Sequence, residues 1–194
     1  MLPQNPLFDL PCVIFAGGKS SRMGRDKALL AFGGFSSLAE FQYRRLSKLF
    51  KEVYISTKEA KFTFDAPLIL DNDTETYAPT TGFVSSFQAL QCERIFVLSV
   101  DTPFVSEKEI QLLLEHDCNT LDAVIAKTAL GSHPLCGIYH TSLLPKFQEM
   151  LVHDTHKLGF LLKNVHTTFV SFSDEAPFEN LNHPQEYEVA KSRL

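Results

Sequence analysis

Short, uninterrupted apolar runs alternate along this chain with stretches whose apolar residues recur at helical spacing, and few folds accommodate that alternation. The runs at residues 12–15, 53–57, 68–70, 95–100, 123–126, 137–140 and 166–172 are rich in Val, Ile, Phe and Tyr. A strand that is apolar on both faces must be covered on both, so these runs predict a mainly parallel sheet between two helical layers. Helical stretches fall between them. Ser37-x-x-Glu40 is a capping-box pattern that introduces a stripe of Leu38, Phe41, Leu46 and Leu49. Ser106-x-x-Glu109 repeats the pattern ahead of Ile110, Leu113 and Leu114, and further helices are predicted over 83–90, 142–151, 156–162 and 184–192. With 194 residues, no internal repeat and no linker-like tract, the expectation is one Rossmann-like three-layer α/β/α domain across 1–194.

The formal net charge of −5 argues against general nucleic-acid binding, which needs a basic surface. Yet Lys19, Arg22, Arg25 and Lys27 fall within one short segment, a concentration suited to a small anionic ligand. Cys12, Cys92, Cys118 and Cys136 are scattered without a Cys-x-x-Cys pair, which points to reduced thiols in a cytoplasmic protein. No apolar stretch approaches the ~20 residues that span a membrane. The first eleven residues lack the basic and apolar regions of a secretory leader, so none is expected.

The basic segment belongs to a glycine-rich loop, Ala16-Gly17-Gly18-Lys19-Ser20-Ser21-Arg22-Met23-Gly24-Arg25-Asp26-Lys27, which leaves the end of the first apolar run. Ligands of open α/β sheets bind at that edge. Glycines admit a phosphate close to the backbone, N–H groups cradle it, and Arg22 and Lys27 supply charge, so the loop predicts a nucleotide triphosphate site. It does not complete the Gly-x-x-x-x-Gly-Lys-Ser/Thr pattern of a P-loop, and the chain has no Gly-x-Ser-x-Gly elbow. Asp101 stands where the run 95–100 ends, followed by Thr102-Pro103. It is either a turn former or a carboxylate for Mg²⁺, and the glycine-rich loop favours the metal.

Asp71 also closes an apolar run, and Gly82 could admit a nucleotide at a helix start; on its own the segment reads as solvated turn formers more readily than as a nucleotide site. Asn182 precedes the last helix and reads as its N-cap, with Pro184 in the first turn. The seven histidines form no zinc pattern: His153 and His156 read as solvent-exposed, and His133-Pro134-Leu135 as a loop before a strand.

Ala16-Gly17-Gly18-x-Ser20-x-Arg22-Met23-Gly24-x-Asp26-Lys27-Ala28-Leu29-Leu30 resembles the motif of the molybdenum cofactor guanylyltransferase family of nucleotidyltransferases. Further landmarks fall in order over nearly the whole chain: Asp71, Pro79-Thr80-Thr81-Gly82, Val100-Asp101-Thr102-Pro103-Phe104, His133-Pro134-Leu135 and Asn180-Leu181-Asn182-x-Pro184. The resemblance implies transfer of GMP from GTP to the terminal phosphate of molybdopterin, with Arg22, Lys27 and Asp101 in catalysis and Mg²⁺ on Asp101. It further implies nucleotide contacts from Phe15, Ala16, Gly17, Gly18, Lys27, Ser56, Asp71, Gly82 and Asp101.

Asn180 and Asn182 stand in a candidate acceptor or second-metal region. Ser56 occupies a place where the guanylyltransferases often carry Asn, and Ala78 replaces a common Gly. Transient handover to cofactor-insertion or chaperone proteins is consistent with this chemistry. The alternatives are a relative using CTP or another phosphorylated acceptor, and a non-catalytic nucleotide-binding module. A degenerate module would be expected to lose a phosphate-binding base or the metal carboxylate, and here Arg22, Lys27 and Asp101 are all present.

Overall fold

The four residues of β1 (Cys12–Phe15) are all buried, and their alternation divides the molecule into two cores. Cys12 and Ile14 pack on one side with α1 (Leu38–Leu46), α3 (Glu107–Glu115) and α6 (Pro184–Lys191). Val13 and Phe15 pack on the other with α2 (Pro79–Leu90), α4 (Leu144–Val152) and α5 (Leu158–Lys163). Burial on both faces is the reason these strands are continuously apolar, and it produces the expected three layers. The computed structural model describes residues 7–17, 26–71 and 78–193.

The other strands are β2 (Val53–Thr57), β3 (Leu68–Leu70), β4 (Arg94–Ser99), β5 (Ala123–Thr128), β6 (Gly131–His140) and β7 (Thr167–Ser171). They form a seven-stranded sheet in the order β3-β2-β1-β4-β6-β5-β7. Only β6 runs against its neighbours, pairing antiparallel with β4 and β5. The chain goes from β1 to β2 on one side and reaches β4 on the other. That reversal makes the carboxyl end of β1 the topological switch point.

Three sequence expectations change. His133-Pro134-Leu135 lies inside β6, not in a loop before it. The β5–β6 register shifts between Ile125 and Ala126, and this bulge tolerates a proline without a ladder N–H. The N-cap of α6 is His183, not Asn182, while the Glu186 carboxylate accepts from both backbone N–H groups, at 2.6 Å and 2.8 Å. The first helix ends at Leu46, so Leu49 lies beyond it, and its buried stripe is Leu38, Ala39, Gln42 and Leu46. The stripe thus contains a polar residue.

Gly137 lies between β4 and β5, paired with Val97 and Ile125. A Cβ there would sit 2.2 Å from the Val124 carbonyl oxygen, and backbone cannot yield as a flexible side chain would. Gly137→Ala is expected to destabilise the protein by about 1–3 kcal/mol, the range for overpacking. Urea unfolding measures this, and an unchanged midpoint would contradict the packing described.

Candidate active site

The parallel ladders of the first half of the sheet end level with one another. Phe15 is opposite both Ser56 and Ser99. Each ladder then gains one more bond: Ala16 N donates to Ser56 O, Asp71 N to Thr57 O and Val100 N to Phe15 O, at 2.9–3.0 Å. Gly17, Asp71 and Asp101 therefore follow directly on these last bonds, at one edge of the sheet.

Lys27 lies in a 3-10 turn, Lys27–Leu29, which Asp26 caps by accepting from Ala28 N at 3.0 Å. The Lys27 Nζ forms an ion pair with Asp101 Oδ2 and donates to Asn182 Oδ1 at 2.9 Å. The other oxygen of Asp101 accepts from the Ser99 hydroxyl at 2.6 Å. Lys27 and Asp101 are only 17% and 14% exposed, so the two charges compensate each other where water does so poorly. Leu181 N donates to Asp101 O at 2.9 Å, and Thr102 Oγ1 donates to Asn180 Oδ1 at 3.0 Å. The 180–182 segment is thereby fastened to the aspartate loop.

Two hollows flank this cluster. One, of about 100 Å³, is lined by Phe15, Gly17, Ser56, Asp71, Pro79 and Gly82. Ser56 is buried and donates to Asp71 Oδ1 at 3.4 Å. A Cβ on Gly82 would lie 2.8 Å from Ser56 Oγ and 3.2 Å from the Phe15 ring, so this glycine keeps the hollow open. The other, of about 270 Å³, contains Asp101, Asn180 and Asn182 with Ser132, His133 and Pro134. Leu135 borders both. His133 stacks on Phe178 with centroids 5.0 Å apart, and burial lowers its pKa against the opposing effect of Glu175.

The structure thus gathers Phe15, Ala16, Gly17, Lys27, Ser56, Asp71, Gly82, Asp101, Asn180 and Asn182 along one sheet edge. Gly18 and Arg22 lie outside the described residues, as do Lys19, Arg25 and the Met23-Gly24 part of the motif. His153 is exposed, but His156 is not the free surface residue its spacing suggested. It is half-buried, with Nδ1 2.8 Å from Thr80 Oγ1 and Nε2 2.8 Å from Asp154 Oδ1.

Two participants escaped the sequence reading. Ser99 was legible in principle, two residues before Asp101 on a strand that ends there. Lys61, in a polar stretch with no motif, bridges the glycine-rich segment by donating to Asp26 Oδ2 at 2.5 Å and Ala16 O at 3.4 Å.

The donor set suits Mg²⁺. Asp101 and Asn182 direct hard oxygen atoms at one cationic centre, the Lys27 ammonium. No cluster of three or more His, Cys, Asp or Glu forms among the described residues. A single protein carboxylate fits an ion held largely by substrate phosphates and water.

Residues 12–168 match the MobA-like NTP transferase domain. The chain belongs to this family. It is 44% identical over 97% of its length to the molybdenum cofactor guanylyltransferase of Campylobacter jejuni, covering 98% of that protein. With the Helicobacter pylori guanylyltransferase it shares 38% identity, over 96% of this chain and 94% of the relative. Molybdopterin-guanine dinucleotide biosynthesis protein A from Archaeoglobus fulgidus has the same fold, with a TM-score of 0.77 at 18% identity over 95% and 98% of the two chains. The family resemblance carried by the glycine-rich motif therefore holds, and the MobA-like domain accounts for most of the sheet. No helix among the described residues is long and apolar enough to cross a membrane.

Gly82→Ala places a methyl group against Ser56 and the Phe15 ring. Nucleotide affinity is expected to fall at least about tenfold, within the 1–3 kcal/mol range for overpacking a fitted site. Calorimetric titration with GTP measures this; full affinity in the variant would show that the nucleotide does not use this hollow.

Proposed function

We propose that the chain transfers GMP from GTP to the terminal phosphate of molybdopterin and releases pyrophosphate. The observation that carries this reading is the Lys27–Asp101–Asn182 cluster beside the Gly17–Asp71–Gly82 hollow. Its residues match the landmarks shared with the guanylyltransferases. An oxygen of the acceptor phosphate attacks the α-phosphorus of GTP, a new P–O bond forms, and the bond to the β-phosphate oxygen breaks. The acceptor oxygen is already anionic at neutral pH, so a strong general base is unnecessary. Repulsion between anions is the main barrier, and positioning with charge compensation lowers it.

In this reading Asp101 holds Mg²⁺, assisted by Asn182. When bound there, Mg²⁺ neutralises charge on the triphosphate. Lys27 exchanges Asp101 for the phosphates and, with Arg22, compensates charge developing on the leaving pyrophosphate. Gly17 and Gly18 let the backbone approach the same groups. Phe15, Ala16, Ser56, Asp71 and Gly82 form the nucleoside side. Asp71 favours guanine on chemical grounds, because a carboxylate accepts from both N1–H and N2–H₂, whereas the cytosine edge offers one amine beside an acceptor.

Asn180 and Asn182 border the larger hollow and face the acceptor. The reading sets the reaction in the cytoplasm, with transient handover of the product to cofactor-insertion or chaperone proteins.

Asp101→Ala is expected to abolish pyrophosphate release from GTP, Mg²⁺ and molybdopterin while the protein stays folded; near-normal turnover would refute the metal assignment. Lys27→Ala should slow release by roughly 10²–10³, the scale of removing one preorganised charge donor. An unchanged rate would remove Lys27 from the mechanism. By calorimetry, GTP should bind at least about tenfold more tightly than CTP. Tighter CTP binding would favour cytidylyl transfer instead.

A further inference from the structure

Gln42 is fully buried in a helix stripe whose other members, Leu38, Ala39 and Leu46, are apolar. Burying an amide without partners costs free energy, so its hydrogen bonds explain what it does there. All those made by its nitrogen go to the segment carrying Asp101. Gln42 Nε2 lies 3.3 Å from Ser99 O, 3.4 Å from Val100 O and 3.1 Å from Thr102 O. The carbonyl omitted from this series, Asp101 O, accepts from Leu181 N instead. The carbonyls of the residues on either side of Asp101 are thus held from α1, and its own carbonyl by Leu181.

The direction of the amide is fixed as well. Its Oε1 accepts from Arg45 Nε at 3.2 Å and Nη2 at 2.6 Å, while Arg45 Nη1 reaches Val105 O at 2.5 Å. A guanidinium offers donors only, so it must face the amide oxygen, leaving the amide nitrogen toward the loop. Burial lowers Arg45 to about 10, so the group keeps its charge at neutral pH. An apolar residue at position 42 could fill the same space but would leave Val100 O and Thr102 O without this donor.

We propose that Gln42, oriented by Arg45, is a positioning residue that holds the Asp101 loop in its metal-binding geometry. This rests on the reading of Asp101 as the Mg²⁺ ligand. Gln42 touches neither nucleotide nor metal, and it acts by fixing the backbone from which the Asp101 carboxylate projects.

The test is the enhancement of GTP affinity by Mg²⁺, measured calorimetrically with and without the ion. Wild type, Asp101→Ala, Gln42→Met and Gln42→Glu are compared. Gln42→Met keeps length and volume without the donor. Gln42→Glu keeps size and the Arg45 contact but turns an acceptor toward the carbonyls. In both Gln42 variants the metal-free GTP affinity should stay within about twofold of wild type. The Mg²⁺ enhancement should shrink about tenfold, as one to two net hydrogen bonds imply. If Gln42→Met fails to fold, Gln42→Glu carries the same readout.

Full Mg²⁺ enhancement in the Gln42 variants, with loss in Asp101→Ala, would overturn the Gln42 assignment alone. Equal loss of affinity with and without Mg²⁺ would also overturn it, because the role would then be merely structural. An enhancement that Asp101→Ala leaves intact would overturn the metal reading and this proposal together.

Discussion

One ammonium group joins the parts of this site. Lys27 reaches Asp101 and Asn182 from the turn that ends the glycine-rich segment, and those partners come from the end of β4 and the approach to α6. The three segments are far apart in the chain, so each must be placed independently. Little net stability is expected from such a pair, since desolvating both charges offsets most of their attraction. Removing either partner alone is different, because it strands a charge where water is scarce. The cluster therefore holds a cation among oxygen atoms at the place where the proposed reaction brings an anionic substrate and its counter-ion together.

The sheet makes that convergence possible. Level ladder ends bring Gly17, Asp71 and Asp101 to one edge, and the reversal of strand order at β1 opens a crevice there. Packing keeps the edge in place. Phe15 sits against Phe83 of α2, which stacks on Phe147 of α4 at 4.5 Å. On the opposite face, Gln42 and Arg45 tie α1 to the aspartate loop. Burial raises the Cys136 thiol to about 12, which leaves it protonated and inert within the core. Chemistry is confined to the edge, while the faces supply rigidity.

The strands were legible because burial on both faces leaves a compositional trace, as in the run from Cys12 to Phe15. The glycine-rich motif, Asp71 and Asp101 were legible because strand ends mark where ligands meet an α/β sheet. Other features left weaker traces. Pro134 read as a loop because proline breaks ladders, and only the register shift opposite Ala126 lets it remain in β6. Asn182 read as a helix cap, but Glu186 serves the backbone at that end, and the Asn182 side chain accepts from Lys27 instead. Gln42 and Lys61 belong to no motif. Their roles depend on partners distant in sequence, which a local pattern cannot encode.

In the proposed reaction a metal takes the place now held by the Lys27 ammonium once substrate arrives. The most direct measurement is a crystal structure with GTP and Mn²⁺, using anomalous scattering to locate the ion. An anomalous peak is expected in the coordination shell of the Asp101 carboxylate, with Lys27 moved onto the phosphates. A Lys27–Asp101 pair left intact, with metal and triphosphate bound away from Asp101, would contradict it.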